Sequence, residues 1–132
     1  MLATVELPAG WFDRTVLTYI GPDTGAGSPS LVVSRDELGE RVPLGRYAAM
    51  QDAAIRAGLE HVERLQDERA RLAGRPALRL GYRWTLHGHT MRQWVWCVVD
   101  GSTGYAITAT AADAEFDALA VLFQAAADSF SC

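Results

Sequence analysis

The chain has 132 residues and a formal net charge of −4, and 49% of its residues are apolar. This length fits one domain, residues 1–132, and the apolar share is large enough for a real core. All 12 basic residues are arginines with acidic residues between them, so no basic stripe indicates nucleic-acid binding. We find neither a long apolar run typical of a transmembrane helix nor a signal-peptide pattern, which favours the cytoplasm and argues against direct membrane insertion.

The first third of the chain is predicted to form strands. ATVEL alternates, PAGW forms a turn, and RTVLTYI is rich in β-branched and aromatic residues. The loop GPDTGAGSPS leads into SLVVSRDEL, where Leu31, Val32 and Val33 are consecutive apolar residues. Because successive side chains of a strand point to opposite faces, both faces of this strand are apolar. Something must therefore cover the second face.

A helix is predicted over PLGRYAAMQDAAIRAG, with Pro43 in its first turn and Gly58 after its last. Its apolar stripe contains one polar residue, Gln51. Residues 59–72 fit both a helical and an alternating period, and we favour a strand and a turn because Gly58 ends the helix.

The later segments predict further strands and a final helix. GRPALRLGYRWTL alternates, HGH forms a short turn, and TMRQWVWCVVDGSTGYAITATA reads as two strands joined at DGSTG. DAEFDALAVLFQAAADSF is predicted to be a helix with Asp113 as its N-cap. Its apolar face is predicted to consist of Phe116, Leu119, Phe123, Ala127 and Phe130. The element order β-β-β-α-β-β-β-β-α predicts an α+β fold, a twisted antiparallel sheet with two main helices.

The apolar residues on both sides of the strands leave two arrangements open. Both helices could cover one face, so that the other presents an apolar patch to a partner. Alternatively, one helix could cover each face within the same chain. Gln51 and Gln93 each interrupt an apolar row, and a buried amide needs hydrogen-bond partners, from a ligand or from the chain itself.

We find no catalytic motif, and no cofactor is expected. His87 and His89 with Cys97 could supply three metal ligands, but Gly88 places the histidines at a hairpin tip, where polar residues are usual. GPDTGAGS lacks the ending of a phosphate-binding loop. Cys97 fits a small core residue and Cys132 a free thiol. The sequence therefore predicts a protein that is not an enzyme.

Several segments together resemble the Eag chaperones, the adaptors of bacterial type VI secretion, which are related to DcrB and to the PsbP/Mog1 fold. These segments are GWFDRTVLTYI, SLVVSRDEL, Tyr47 followed by Gln51, GRPALRLGYRW, MRQ and TATA, in that order. The resemblance implies a small cytoplasmic homodimer. Such a protein shields the hydrophobic N-terminal transmembrane segments of an effector with a PAAR domain, often an Rhs effector, until the effector is loaded on the secretion spike.

The resemblance also implies a binding groove made of sheet aliphatics and glutamines. The matching positions are Val16, Thr18, Val32, Gln51, Leu59, His89 or Met91, and Gln93. Thr18 and His89 depart from the family pattern, which favours aliphatic residues there. Two other readings stay open: a DcrB-like or PsbP-like envelope protein, and a small-ligand or metal-binding domain that uses His87 and His89.

Overall fold

A computed structural model of the chain describes residues 8–9, 16–23 and 27–132. The predicted strand ATVEL lies outside the described residues. The described elements are β1 (Val16–Ile20), β2 (Ser30–Glu37), α1 (Leu44–Gly58), β3 (Glu63–Leu72), β4 (Arg75–Leu86), β5 (His89–Asp100), β6 (Thr103–Ala112) and α2 (Asp113–Asp128). Residues 63–72 thus form a strand, as favoured from the sequence.

The six described strands form one antiparallel sheet in the order β1-β2-β6-β5-β4-β3. Two-residue turns set its register. His87 and Gly88 join β4 to β5 with φ angles of 49° and 79°, and two consecutive positive φ values suit the right-handed twist of a hairpin. The HGH segment is therefore a tight turn, as predicted.

The two helices pack on opposite faces of the sheet, which we name the α1 face and the α2 face. On β5, Val95 and Cys97 are buried in the cluster that contains residues of α1, whereas Trp96 and Val98 are buried in the cluster that contains residues of α2. This arrangement explains why β5 is apolar at successive positions, because both of its faces meet a helix. The alternative in which one whole face stays free is therefore wrong.

Helix α2 begins one residue earlier than the predicted cap implies. Ala112 is the N-cap residue and Asp113 is the first helical residue. The Asp113 carboxylate accepts a hydrogen bond from Arg83 Nε at 3.1 Å instead of capping the helix. Asp113 thus forms an ion pair with Arg83 of β4 and does not cap the helix as the sequence predicted. Phe116, Phe123 and Ala127 are buried, as the predicted apolar face requires.

Candidate functional site

Helix α1 covers only part of its face. Beneath it, Leu80, Val95 and Cys97 are at most 1% exposed. Towards β1 the same face is open to solvent, and Val16 is 50% exposed. We name this region the open strip and define it by residues of β1, β2, β6 and β5 that point to the α1 face: Val16, Thr18, Val32, Thr108, Thr110 and Gln93.

The strand register brings distant residues of the open strip side by side. Thr18 lies opposite Val32, and Val32 lies opposite Thr108. Gln93 lies opposite Thr110, in the next row on the same face. Since neighbouring strands are about 4.8 Å apart and successive rows on one face are about 7 Å apart, Val32 and Gln93 are separated by about 12 Å. The sheet thus joins four of the predicted groove residues in one surface: Val16, Thr18, Val32 and Gln93.

Gln93 is the polar centre of the open strip. Its Nε2 donates a hydrogen bond to Thr110 Oγ1 at 3.1 Å. Its Oε1 is buried and accepts no hydrogen bond from any described residue. A buried acceptor without a donor costs about 1–3 kcal/mol, so a rotation of the Gln93 side chain that turns this oxygen towards a donor of a bound partner would be favoured.

Gln51 has a different environment from Gln93. Its Nε2 donates to Asp36 Oδ2 at 3.3 Å, and the Tyr47 hydroxyl donates to the same oxygen at 3.0 Å. These two bonds fasten α1 to β2. Gln51 therefore borders the open strip, but its amide nitrogen already has a partner within the chain.

The sequence did not predict a role for Asp36 in this cluster. The spacing in the sequence could have indicated it, because Asp36 lies four residues after Val32 on the same strand and therefore points to the same face of the sheet. Arg35, its neighbour in the sequence, instead pairs with Glu37. The acid at the end of β2 thus helps to hold α1.

The remaining predicted groove residues lie beyond the open strip. Leu59 and Met91 are half-buried and pack against the cluster beneath α1, so each contributes to the core of the chain. His89 is exposed at the start of β5, in the β4–β5 hairpin. The structure therefore does not join these three residues to Val16 and Thr18 in a continuous apolar wall.

A second polar contact fixes the other side of α1. The Tyr82 hydroxyl of β4 donates to Asp52 Oδ1 at 2.5 Å, and Arg56 and Arg64 also approach this carboxylate. Burial by itself raises the pKa of Asp52, but the Tyr82 hydrogen bond and the two arginines outweigh it and lower that pKa. Burial and the Asp52 contact both raise the pKa of Tyr82. Asp52 is therefore a charged anchor for α1.

The described residues offer little for metal or nucleophile chemistry. No group of three or more His, Cys, Asp or Glu residues lies within metal-binding reach in the described part of the chain. Cys97 is buried, and burial raises its pKa to about 12, which keeps it a thiol at neutral pH. No helix among the described residues is long and apolar enough to span a membrane.

The architecture is that of an α+β protein whose antiparallel sheet carries one helix on each face. Cyanobacterial PsbP (CyanoP) from Synechocystis matches it with a TM-score of 0.59 and 16% identity, over 95% of this chain and 83% of that chain. LpqN of Mycobacterium tuberculosis, involved in cell envelope biogenesis, matches with a TM-score of 0.55 and 14% identity, over 89% and 82% of the two chains. The predicted fold class is confirmed.

The model of the DcrB family matches residues 3–129, and this chain belongs to the DcrB family. A Pseudomonas aeruginosa protein of unknown function, a candidate regulator, matches with a TM-score of 0.80 and 20% identity, over 97% of this chain and 90% of that chain. No curated protein sequence matches this chain significantly. The family part of the sequence-based prediction is thus confirmed at the level of DcrB.

Proposed function

We propose that this chain is an Eag-type chaperone of type VI secretion and not an enzyme. It would hold the hydrophobic N-terminal transmembrane segments of a PAAR-containing effector, such as an Rhs effector, in the bacterial cytoplasm before the effector is loaded on the spike. The observation that carries the proposal is the open strip, where Val16, Thr18, Val32 and Gln93 share an uncovered part of the sheet.

The chemistry of the open strip suits a transmembrane helix. Such a helix exposes apolar surface in water, and burying that surface stabilises the complex by about 25 cal/mol per Å². Val16 and Val32 offer aliphatic contacts, and the hydroxyls of the strip can bond to polar groups of the guest. The buried Gln93 Oε1 needs a donor. Small hydroxyl-bearing residues are common where transmembrane helices pack, and they could supply one.

The size of the open strip favours two copies of the chain. The strip crosses four strands, so its outer strands are about 14 Å apart. A transmembrane helix of about 20 residues is about 30 Å long. One strip therefore covers about half of a helix that lies across the strands, and a homodimer with adjoining strips would cover the whole. Light scattering of the purified protein measures its molar mass and so tests whether it is a dimer.

The decisive test is co-purification with the apolar N-terminal region of a PAAR protein encoded beside this gene. We expect Val32→Glu to abolish recovery, because a carboxylate in the strip faces the apolar guest, and Gln93→Ala to reduce it. Thr85→Glu is the matched control, because Thr85 is an exposed strand residue on the α2 face. Wild-type recovery by both strip variants would remove the groove assignment.

An envelope role is the second candidate, and the likeness to LpqN favours it. The two proteins share a fold, and the open strip could also bind an apolar ligand other than an effector helix. Cell fractionation of the native gene product separates the candidates. Recovery in the envelope fraction would favour this role, and recovery in the cytoplasm would favour the chaperone.

A further inference from the structure

The outer side of α2 has no charged residue along most of its length. Residues 118–127, ALAVLFQAAA, contain only one polar side chain, Gln124. Phe123 and Ala127 face the sheet, while Val121 is 75% exposed and Leu122 is 64% exposed. A surface helix normally presents charged residues to water, and a helix that is apolar all round is normally covered. The outer side of α2 is thus typical of a contact surface.

A groove beside α2 extends this surface. It has a volume of about 260 Å³ and lies between α2 and the segments that flank the β1–β2 connection. Leu122 belongs both to the groove and to the exposed side of the helix. We name the combined surface the α2 patch, which consists of the exposed Val121, Leu122 and Ala125 of α2 with the groove residues Tyr19, Ile20 and Leu31.

An acid stands at each end of the α2 patch. Asp117, in the second turn of α2, is 87% exposed and pairs with Arg92 at 2.8 Å. Asp128 ends the helix, whose last turn contains no basic residue. The helix dipole disfavours an anion at a C-terminus by about 0.3–1 kcal/mol. Among the described contacts, Asp128 accepts one hydrogen bond, from the uncharged Gln124 amide at 2.9 Å. A cation from a partner would therefore be favoured beside Asp128.

The same charges argue against a second copy of the chain on this patch. In an antiparallel pair of α2 helices centred on Val121 and Leu122, Asp128 of one copy would approach the first turns of the other. Those turns carry Asp113, Glu115 and Asp117. Arg83 and Arg92 already pair with Asp113 and Asp117, so this end of a second copy would bring Asp128 a nearly balanced set of charges and not the cation that it lacks. A different partner, with the opposite charge, fits better.

We propose that the α2 patch docks an amphipathic helix of a partner protein that carries an apolar face with Lys or Arg at the end that meets Asp128. The apolar face covers Val121 and Leu122 and places one side chain in the adjoining groove, which is the helix-in-groove mode of recognition. The patch lies on the opposite side of the sheet from the open strip. The proposal therefore does not depend on the proposed chaperone function.

The test uses two synthetic helical peptides that share one Leu/Ala face and differ only in their flanking residues, Lys or Glu. We expect the wild-type protein to bind the Lys-flanked peptide about fivefold more tightly at low salt, since each exposed charge contact contributes a fraction of a kcal/mol. Asp128→Lys reverses the preference, and Leu122→Glu removes binding of both peptides. Fluorescence anisotropy measures each affinity.

The matched control is Ala53→Glu, which adds the same charge at an exposed position of α1, on the other side of the sheet, and leaves peptide binding unchanged. Circular dichroism verifies that each variant is folded. The proposal is overturned if neither peptide binds, if Asp128→Lys leaves the preference unaltered, or if Leu122→Glu binds as wild type. Sedimentation that shows a dimer dissociated by Leu122→Glu would assign the patch to a second copy and also overturn it.

Discussion

Val95 and Val32 are the same residue type on the same face of the sheet, and they occupy one row with Thr108 between them. Val95 is 1% exposed beneath α1, whereas Val32 is only half-buried in the open strip. Their local sequences are equally apolar. The difference teaches that the path of α1 across the sheet, and not the strand pattern, decides which valine belongs to the core.

The path of α1 depends on a few contacts with other elements. Tyr47 is fully buried and its ring lies where a Cβ atom on Gly104 of β6 would be. The Tyr47 hydroxyl donates a hydrogen bond to Asp36 of β2. Further along α1, Asp52 accepts a hydrogen bond from the Tyr82 hydroxyl of β4. Three strands thus hold the helix over one half of the face and leave the other half open.

The largest expected effect comes from placing a charge at the two valines. Val95→Asp buries a carboxylate without a partner, so we expect it to lower the free energy of unfolding by about 3–5 kcal/mol. Val32→Asp can hydrate its carboxylate, and we expect a loss of about 1 kcal/mol. Urea unfolding measures both values. If Val95→Asp does not fold, Val95→Ala, with an expected loss of about 2 kcal/mol, provides the comparison. Equal losses of stability at the two positions would contradict the claim that α1 buries Val95 and leaves Val32 open.

A smaller effect is expected from Gly104→Ala, which tests how α1 lies on β6. The added methyl group would overlap the Tyr47 ring, so the helix or the ring must move. Overpacking of this kind typically costs about 1–3 kcal/mol. Adding Tyr47→Leu to Gly104→Ala should recover part of the loss in a double-mutant cycle. Additive losses would mean that the two residues do not constrain each other.

The smallest expected effect is the pH dependence of the Asp52 anchor. The pKa of Asp52 is lowered in the folded chain from 3.8, so its stabilising contribution is present above that pH. The contribution is lost as the pH falls through the lower folded pKa. We expect the stability difference between the wild type and Asp52→Asn to shrink below about pH 4. A difference that is constant from pH 6 to pH 2 would show that the Asp52 charge does not hold α1.

Much of the fold follows from short stretches of the chain. The alternation at Leu78, Leu80 and Tyr82 predicted β4, and the spacing of Phe116, Phe123 and Ala127 predicted the buried side of α2. The candidate site was predicted only in part. Val16, Thr18, Val32 and Gln93 do share one surface, whereas Leu59 and Met91 are half-buried against the cluster beneath α1.

The sequence by itself determined the strands, the helices and the tight turns, because periodicity and turn chemistry act between residues close together in the chain. Only the tertiary structure decided that the helices lie on opposite faces and that the β1 side of the α1 face stays open. Those features depend on contacts such as Tyr47 with Gly104 and Tyr82 with Asp52, which join residues far apart in the sequence. No local pattern records such contacts.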